Sequence, residues 1–408
     1  MDGCEVTTSF WISGGGLAGL ATCIALQNIC GIRANILEAK SQLEGDAGTL
    51  IALWPNGLRA LQAIDQSLYQ DILQTGCKIR QVRSIRETGE TRVPDNCESK
   101  YGQPFICIRW STLHSLLAKR VSHSQIYLQH TTTQVYDKEN HVIVETKRTH
   151  STQDMDRDDT KEAFVGKALI VADGVRSLLR KYILNDDERQ LIDPIYTGRV
   201  IARAVLNSDE LKELSIPLPQ NECIFFFSSD GKKVGSLSSL EQGQFYWALT
   251  LEIPTMDSSY LEKQSLQQES EFSIPLMQAI AATPAERIQI RPLLEMPPLP
   301  RYAKGNVVLI GDAAHAVIPS LGQGANIAFE DALVLSRCIK NEDNLEKAFS
   351  CYEERRLRRC QLIQEESSKA GKRARQPKPS SSWDSQVFES YQKFLEYLLD
   401  FDPDKISL

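Results

Sequence analysis

The sequence predicts an α/β protein. A parallel-sheet domain of alternating strands and helices is interrupted by a mixed β-sheet domain and followed by a C-terminal helical segment. Three observations predict this. Near the start, Phe10-Trp11-Ile12 runs into Gly14-Gly15-Gly16-Leu17-Ala18-Gly19 and an apolar helical stretch. Towards the end, an apolar run at 307–310 breaks at Gly311-Asp312, passes Gly322 and Gly324, and enters another helical pattern. Between them, residues 194–252 hold strand-like runs separated by turn signals such as Gln242-Gly243, the pattern of an inserted sheet.

The first elements fit G-x-G-x-x-G between a strand and a helix. A second strand, Ala34-Asn35-Ile36-Leu37, ends at Glu38. Gly14, Gly16 and Gly19 allow a tight turn and close approach to a pyrophosphate, which the free N–H groups and positive end of the helix stabilise. Glu38 stands where an acid accepts ribose hydroxyls. Strand, glycines, helix, strand and acid in this order predict a Rossmann-like dinucleotide site.

The next helix opens at Pro55-Asn56-Gly57. Residues 76–102, broken by Gly89, Pro94 and Asn96, suit small strands. Ile106-Cys107-Ile108-Arg109 is a strand, and Leu113, Leu116, Leu117 and Val121 mark a helix after it. Residues 133–146 and 163–172 read as paired strands, with polar residues 146–160 expected as an exposed, mobile loop. Ala168-Leu169-Ile170-Val171-Ala172 is a buried strand ending at Asp173-Gly174. Runs at 197–206, 223–228, 233–240 and 245–251 form the inserted sheet, and 261–287 is helical. The strand at 306–310 returns the chain to the first domain. Asp312 can accept hydrogen bonds from a sugar or polyol, and the helix start after Gly324 offers N–H groups to a polarised oxygen. Residues 366–382 read as a basic linker. Phe388, Tyr391, Leu395 and Leu398 then repeat at helical spacing. That amphipathic helix either docks on the main body or meets a membrane or partner. The expected domains are 1–75, 103–190 and 288–365 for the dinucleotide site, 76–102 and 191–287 for the substrate, and 366–408 for the linker and last helix.

Composition narrows the classes. The chain has 408 residues, 42% of them hydrophobic, and a formal charge of −7. Mild acidity gives no reason to expect a nucleic-acid partner. No run is long and apolar enough for a transmembrane helix, and Met1-Asp2-Gly3-Cys4-Glu5 does not resemble a signal peptide. The ten cysteines are scattered with no C-x-x-C. They read as reduced thiols in a cytoplasmic protein without a metal site. A monomer or weak homodimer is expected.

Three motifs in fixed order carry a resemblance. They are Gly14-x-Gly16-x-x-Gly19 with Glu38; Ala172-Asp173-Gly174-Val175-Arg176-Ser177-x-x-Arg180; and Gly311-Asp312 with Pro319-x-x-Gly322-Gln323-Gly324-x-Asn326 and Glu330-Asp331-Ala332. Over residues 8–365 the chain resembles the FAD-dependent aromatic hydroxylases, single-component flavoprotein monooxygenases with the p-hydroxybenzoate hydroxylase fold. The resemblance implies that Gly14, Gly16 and Gly19 surround the FAD pyrophosphate and that Glu38 holds the adenosine ribose. It implies that Arg109 lies along the phosphates and ribityl chain, that Asp173 and Gly174 serve FAD and a transient NADPH or NADH, and that Asp312 bonds the ribityl chain. Backbone N–H groups around Gly324, Ala325 and Asn326 would face the flavin pyrimidine, with Gly322 in the loop surrounding the ring and Pro319 beside its reactive carbon. The implied reaction uses O2 to hydroxylate or epoxidise a small aromatic or unsaturated substrate through a flavin hydroperoxide. The chain departs from the family after Glu38: Lys40 is the only base where many members carry an arginine.

On the substrate side, Tyr196-Thr197-Gly198-x-x-x-x-Arg203 resembles the family's first long strand. Arg199, Ile201 and Arg203 share one face of that strand. Arg203, with Arg199 assisting, positions a phenolate or carboxylate if that face meets the flavin; otherwise both make surface ion pairs. Phe225-Phe226-Phe227 either lines an aromatic pocket or splits across both faces as core. Trp247 reads as core, and Trp54 as core or site border. His315 reads as a structural hydrogen-bonding residue, with a general base as the alternative. A same-fold flavin dehydrogenase or reductase and a non-catalytic FAD-binding regulator remain alternatives. A flavin halogenase does not fit, because Phe245-Tyr246-Trp247-Ala248-Leu249 lacks the Trp-x-Trp-x-Ile-Pro signature.

Overall fold

The computed structural model describes residues 9–43, 49–86, 89–148, 161–191, 193–207, 210, 220–230, 232–254, 266, 274–373 and 385–403. At its centre is a six-stranded sheet in the order Ala303–Lys304, Val307–Leu309, Ala168–Val171, Phe10–Ser13, Ala34–Glu38, Ile126–Leu128. Every pairing is parallel except that of the Ala303–Lys304 edge. The second, third and fourth strands in this order, Val307–Leu309, Ala168–Val171 and Phe10–Ser13, are buried throughout, as strands covered on both faces must be. The register sets Ile12 beside Ile36 and Ile170, and Ile170 beside Val308, so an apolar row crosses the sheet. Helix Leu17–Ala25 packs against Trp110–Ala118 and Gly324–Asn341.

The run expected as one strand at 133–146 is a hairpin. His130–Lys138 turns at Glu139-Asn140 into His141–Arg148, which pairs in turn with Lys161–Gly166. No glycine or proline marks that turn, so the alternation reads straight through it. The run at 163–172 divides at Lys167 between this sheet and the central one. Of the expected loop at 146–160, Thr146, Lys147 and Arg148 are strand, and 149–160 lie outside the described residues.

The inserted sheet has seven strands in the order Gln289–Glu295, Ile195–Leu206, Phe245–Glu252, Val234–Ser239, Glu222–Phe227, Gln81–Arg86, Gly89–Pro94. It is mixed, because Glu222–Phe227 runs parallel to Gln81–Arg86 while the other neighbours are antiparallel. The sheet runs past the boundary expected at 287, to Glu295; Pro292 within that edge strand masks its character. Period-2 alternation sorts the faces. Val200, Ala202, Ala204, Trp247 and Leu249 pack with helix Ile274–Ala282. Ile201, Val205, Tyr246 and Ala248 face the first domain, against Phe105 and Cys107. Of the helix expected at 261–287, residues 261–265 and 267–273 lie outside the described residues.

The described part of the expected basic linker is not a linker. Leu345–Arg373 is one helix of 29 residues. Ser367 Oγ donates to Ile318 O at 2.8 Å, and a Cβ on Gly371 would lie 2.7 Å from Ile318 Cδ1. Its small and polar residues are packing contacts, which composition alone cannot distinguish from a linker. Residues 374–384 lie outside the described set.

Helix Ser385–Leu399 docks on the body through Phe394, Leu398 and Leu399, against Leu321, Ile327 and Ile363. Arg59 Nη1 donates to Leu399 O at 3.1 Å and Phe401 O at 2.9 Å. Arg359 reaches Tyr397 O at 3.2 Å and Leu398 O at 2.9 Å. Cations thus satisfy the carbonyls that a helix C-terminus leaves unbonded. Among the described residues, no helix is long and apolar enough to cross a membrane.

Candidate active site

A cleft of about 820 Å³ lies between the two large sheets and the last helix. Gly16, Gly174, Asp312, Pro319, Gly322, Gly324 and Ala325 line one side; Arg199 and Arg203 line the other. Gly14, Gly19, Glu38, Arg109, Asp173 and Asn326 are not among its lining residues; each acts on the wall from behind or beside it.

Gly14 holds φ at +102°, and a Cβ there would lie 2.5 Å from Ala172 O. A Cβ on Gly19 would lie 2.0 Å from Gly14 O. These two glycines set how closely the first helix approaches its strands. At Gly16 a Cβ would meet nothing within 4 Å, and no side chain caps the helix that starts there. Its first N–H groups are open to the cleft. Glu38 Oε2 accepts from Gly15 N at 2.7 Å, and Oε1 from Lys40 N at 2.9 Å. Sequence reading missed two supports. Buried His114 bonds Gly15 O through Nε2 at 2.8 Å. Buried Glu241 accepts from Arg109 N at 3.0 Å and from Thr112 Oγ1 at 2.7 Å. Glu241 belongs to the inserted domain, so it ties that domain to the Arg109 strand.

At the other end, helix Gly324–Asn341 also starts without a side-chain cap. Asn326 is buried and turned away from the cleft. Its Oδ1 accepts from Trp54 N at 2.9 Å, and its Nδ2 donates to Ala52 O at 2.9 Å and Gly322 O at 2.8 Å. Its side chain thereby fixes the glycine loop. Asp312 opens on the cleft, yet the protein around it raises its pKa, against the pull of the His315 and Arg180 charges. Arg180 is buried and donates to Ala313 O at 2.6 Å and to Asp312 O and Gly174 O at 3.1 Å each. It straps the Asp173-Gly174 turn to the Asp312 turn. Burial pushes Asp173 up to about 6, although a Ser177 hydrogen bond and Arg180 oppose the rise. Asp173 Oδ1 is buried without a partner among the described residues.

Beneath the glycine loop lies a buried charge network. His315 Nε2 meets Asp331 Oδ2 at 2.6 Å, and the same oxygen accepts from Gly311 N at 2.8 Å. Arg356 donates to Asp331 Oδ1 at 2.7 Å and Glu330 Oε2 at 2.6 Å. Arg359 reaches both oxygens of Glu330 at 2.7 Å. Burial works to raise Asp331, but the His315 and Arg356 charges outweigh it and hold the carboxyl at about 2. His315 does not line the cleft; the geometry matches the structural reading. His315, Asp331 and Cys360 cluster as metal ligands would, but Arg356 already occupies Asp331 and supplies the positive charge there.

The substrate-side wall resolves the open alternatives. Arg199, Ile201 and Arg203 all face the cleft. Phe225 and Phe227 line it, while Phe226 packs in the core behind. Tyr246 lines it beside Arg203; burial pushes its hydroxyl up to about 12, with Arg203 pulling the other way. Trp247 is core, its indole N–H on Thr283 Oγ1 at 2.8 Å. Trp54 stacks on Phe105 with ring centroids 4.1 Å apart, and both line the cleft.

The cleft fits an elongated dinucleotide. Two uncapped helix starts face it, Gly16 leaves open space, and Asp173 keeps a buried acceptor beside it. The family model described as FAD binding domain matches residues 7–367, and the chain belongs to that family, the FAD-dependent aromatic hydroxylases. The 6-hydroxynicotinate 3-monooxygenase of Pseudomonas fluorescens is 28% identical over 66% of each chain. The aurachin C monooxygenase/isomerase of Stigmatella aurantiaca is 27% identical over 85% of each. In fold, the chain is similar to Klebsiella pneumoniae HpxO complexed with FAD and uric acid, with a TM-score of 0.76 and 21% identity over 98% of this chain and 96% of that one.

Proposed function

We propose that the protein is an FAD-dependent monooxygenase that uses a nicotinamide cofactor and O2 to place one oxygen atom on a small aromatic substrate. The observation that carries this reading is the meeting of two walls in one cleft: uncapped helix starts with Asp312 on one side, Arg199, Arg203 and Tyr246 on the other. Relatives named for 6-hydroxynicotinate and aurachin C support an aromatic substrate. Bound FAD supplies hydride acceptance and O2 activation. The chain's residues do the rest. Gly16 and the helix start behind it would receive the pyrophosphate, with Gly14 and Gly19 letting that helix approach its strands; Glu38 and Arg109 would serve the adenosine and ribityl side, and Asp173, Gly174 and Asp312 the polyol. N–H groups at Gly324, Ala325 and Asn326 would stabilise negative charge on the flavin ring, with Gly322 shaping the loop through its N–H bond to Pro319 O and Pro319 beside the ring. Arg203 holds an anionic group of the substrate with Arg199 in support, and the aromatic wall excludes water. The substrate domain comprises 76–102 and the inserted sheet from 191.

Purified protein should carry a flavin spectrum and consume NADPH or NADH with O2 when given phenols, hydroxypyridines or indoles, the product gaining one oxygen. A colourless protein that binds no FAD refutes the reading. Asp312→Ala should weaken FAD about tenfold, the worth of one hydrogen bond to a charged acceptor; an unchanged Kd removes Asp312 from the site.

A further inference from the structure

The family model ends at residue 367, yet the helix beyond it walls the cleft. Tyr391, Leu395, Leu398 and Leu399 are lining residues. Their roles divide by burial. Phe394, Leu398 and Leu399 are 8%, 1% and 6% exposed and anchor the helix to Leu321, Ile327 and Ile363. Tyr391 and Leu395, one turn apart on the same face, also pack against that cluster but are only half-buried and line the cleft. Arg59 and Arg359 clamp the carbonyls at the helix end, which fixes the height of this wall. The neighbouring lining residues Val317 and Leu321 are aliphatic. Apolar surface left facing a cleft is the mark of a site for an apolar group.

We propose that Tyr391 and Leu395 are specificity-determining residues: they receive an aliphatic substituent on the aromatic substrate, pointing away from the anionic group held by Arg203. This rests on the function proposed above and adds the shape of its substrate, an aromatic acid or phenol with an apolar arm.

The probes are 2-hydroxybenzoate and its 4-alkyl derivatives from methyl to hexyl. They are titrated into FAD-loaded protein by flavin absorbance and into FAD-free protein by tryptophan fluorescence, which Trp54 in the cleft should report. Wild-type affinity should rise roughly fourfold per buried methylene. Leu395→Gln should flatten that ladder. Leu395→Trp should keep affinity for the parent acid and lose more than tenfold for the hexyl derivative. Tyr391→Ala should extend the ladder to longer arms. FAD affinity should stay at the wild-type value. Parallel ladders in wild type and variants, or no ladder in wild type, overturn the proposal. A ladder that the variants flatten without NADPH oxidation supports the apolar wall and counts against the monooxygenase reading. Turnover of the parent acid without a ladder supports that reading and overturns the wall.

Discussion

The two walls of the cleft are built differently. The cofactor side is backbone: glycines, two helix starts and peptide N–H groups, with few side chains pointing in. The substrate side is side chains on a sheet and a helix: Arg199, Arg203, Phe225, Phe227, Tyr246, Tyr391 and Leu395. A backbone wall works only if its conformation is held from behind. Here the holding is done by groups that never reach the cleft, namely Arg180, Asn326 and the Glu330, Asp331, Arg356, Arg359 network. A side-chain wall needs no such scaffold at each position. It can change ligand preference by single substitutions while the cofactor wall stands.

That contrast is broken most severely by removing Arg356. Arg356→Met leaves Asp331 and Glu330 buried with part of their pairing gone, which costs about 3–5 kcal/mol for a buried ion pair. Urea denaturation of the FAD-free protein should show the loss, together with weakened FAD binding. A loss below about 1 kcal/mol would mean that the glycine loop does not depend on the network beneath it.

The same contrast explains what the sequence disclosed. Glycine turns must occur at fixed spacing beside a strand and a helix, so Gly14, Gly16, Gly19, Gly311 and Gly324 were legible in order. Asp312 was legible because it sits in such a turn. Partners distant in sequence were not. Glu330 and Asp331 stood out in one motif, but nothing in the spacing paired them with Arg356 and Arg359. Glu241 and His114 carried no signal, since each supports a backbone atom far along the chain. Alternation placed Arg199, Ile201 and Arg203 on one face. Only the docking of the sheet on Phe105 and Cys107 decides that this face meets the cleft. Ser367 and Gly371 looked like linker because small residues suit both loops and tight helix packing.

A smaller effect should separate the walls functionally. Arg203→Gln removes the cation beside Tyr246 while leaving the glycine loop untouched. Turnover (kcat/KM) should fall roughly 10- to 100-fold, the range for losing a charged hydrogen bond, with FAD affinity unchanged. A change in FAD affinity without a change in turnover would place Arg203 on the cofactor side.

The last test concerns Asp173, whose buried carboxyl oxygen lies beside the cofactor wall. Its carboxyl titrates near 6 rather than 3.8 because burial penalises the charge. A carboxyl with a raised folded pKa stabilises the fold fully below its unfolded value, and the benefit disappears as pH rises through the folded value. Between pH 4 and pH 7 the FAD-free wild type should therefore lose about 2–3 kcal/mol that Asp173→Asn does not lose. Urea denaturation at pH 4 should show little change in the difference between the two proteins, and at pH 7.5 the variant should have gained by that amount. Saturating FAD should shrink the gain if a cofactor hydroxyl donates to Asp173 Oδ1, since that bond favours the ionised form. A stability difference that does not vary with pH would show that Asp173 ionises freely, and that even here the cofactor wall relies on backbone alone.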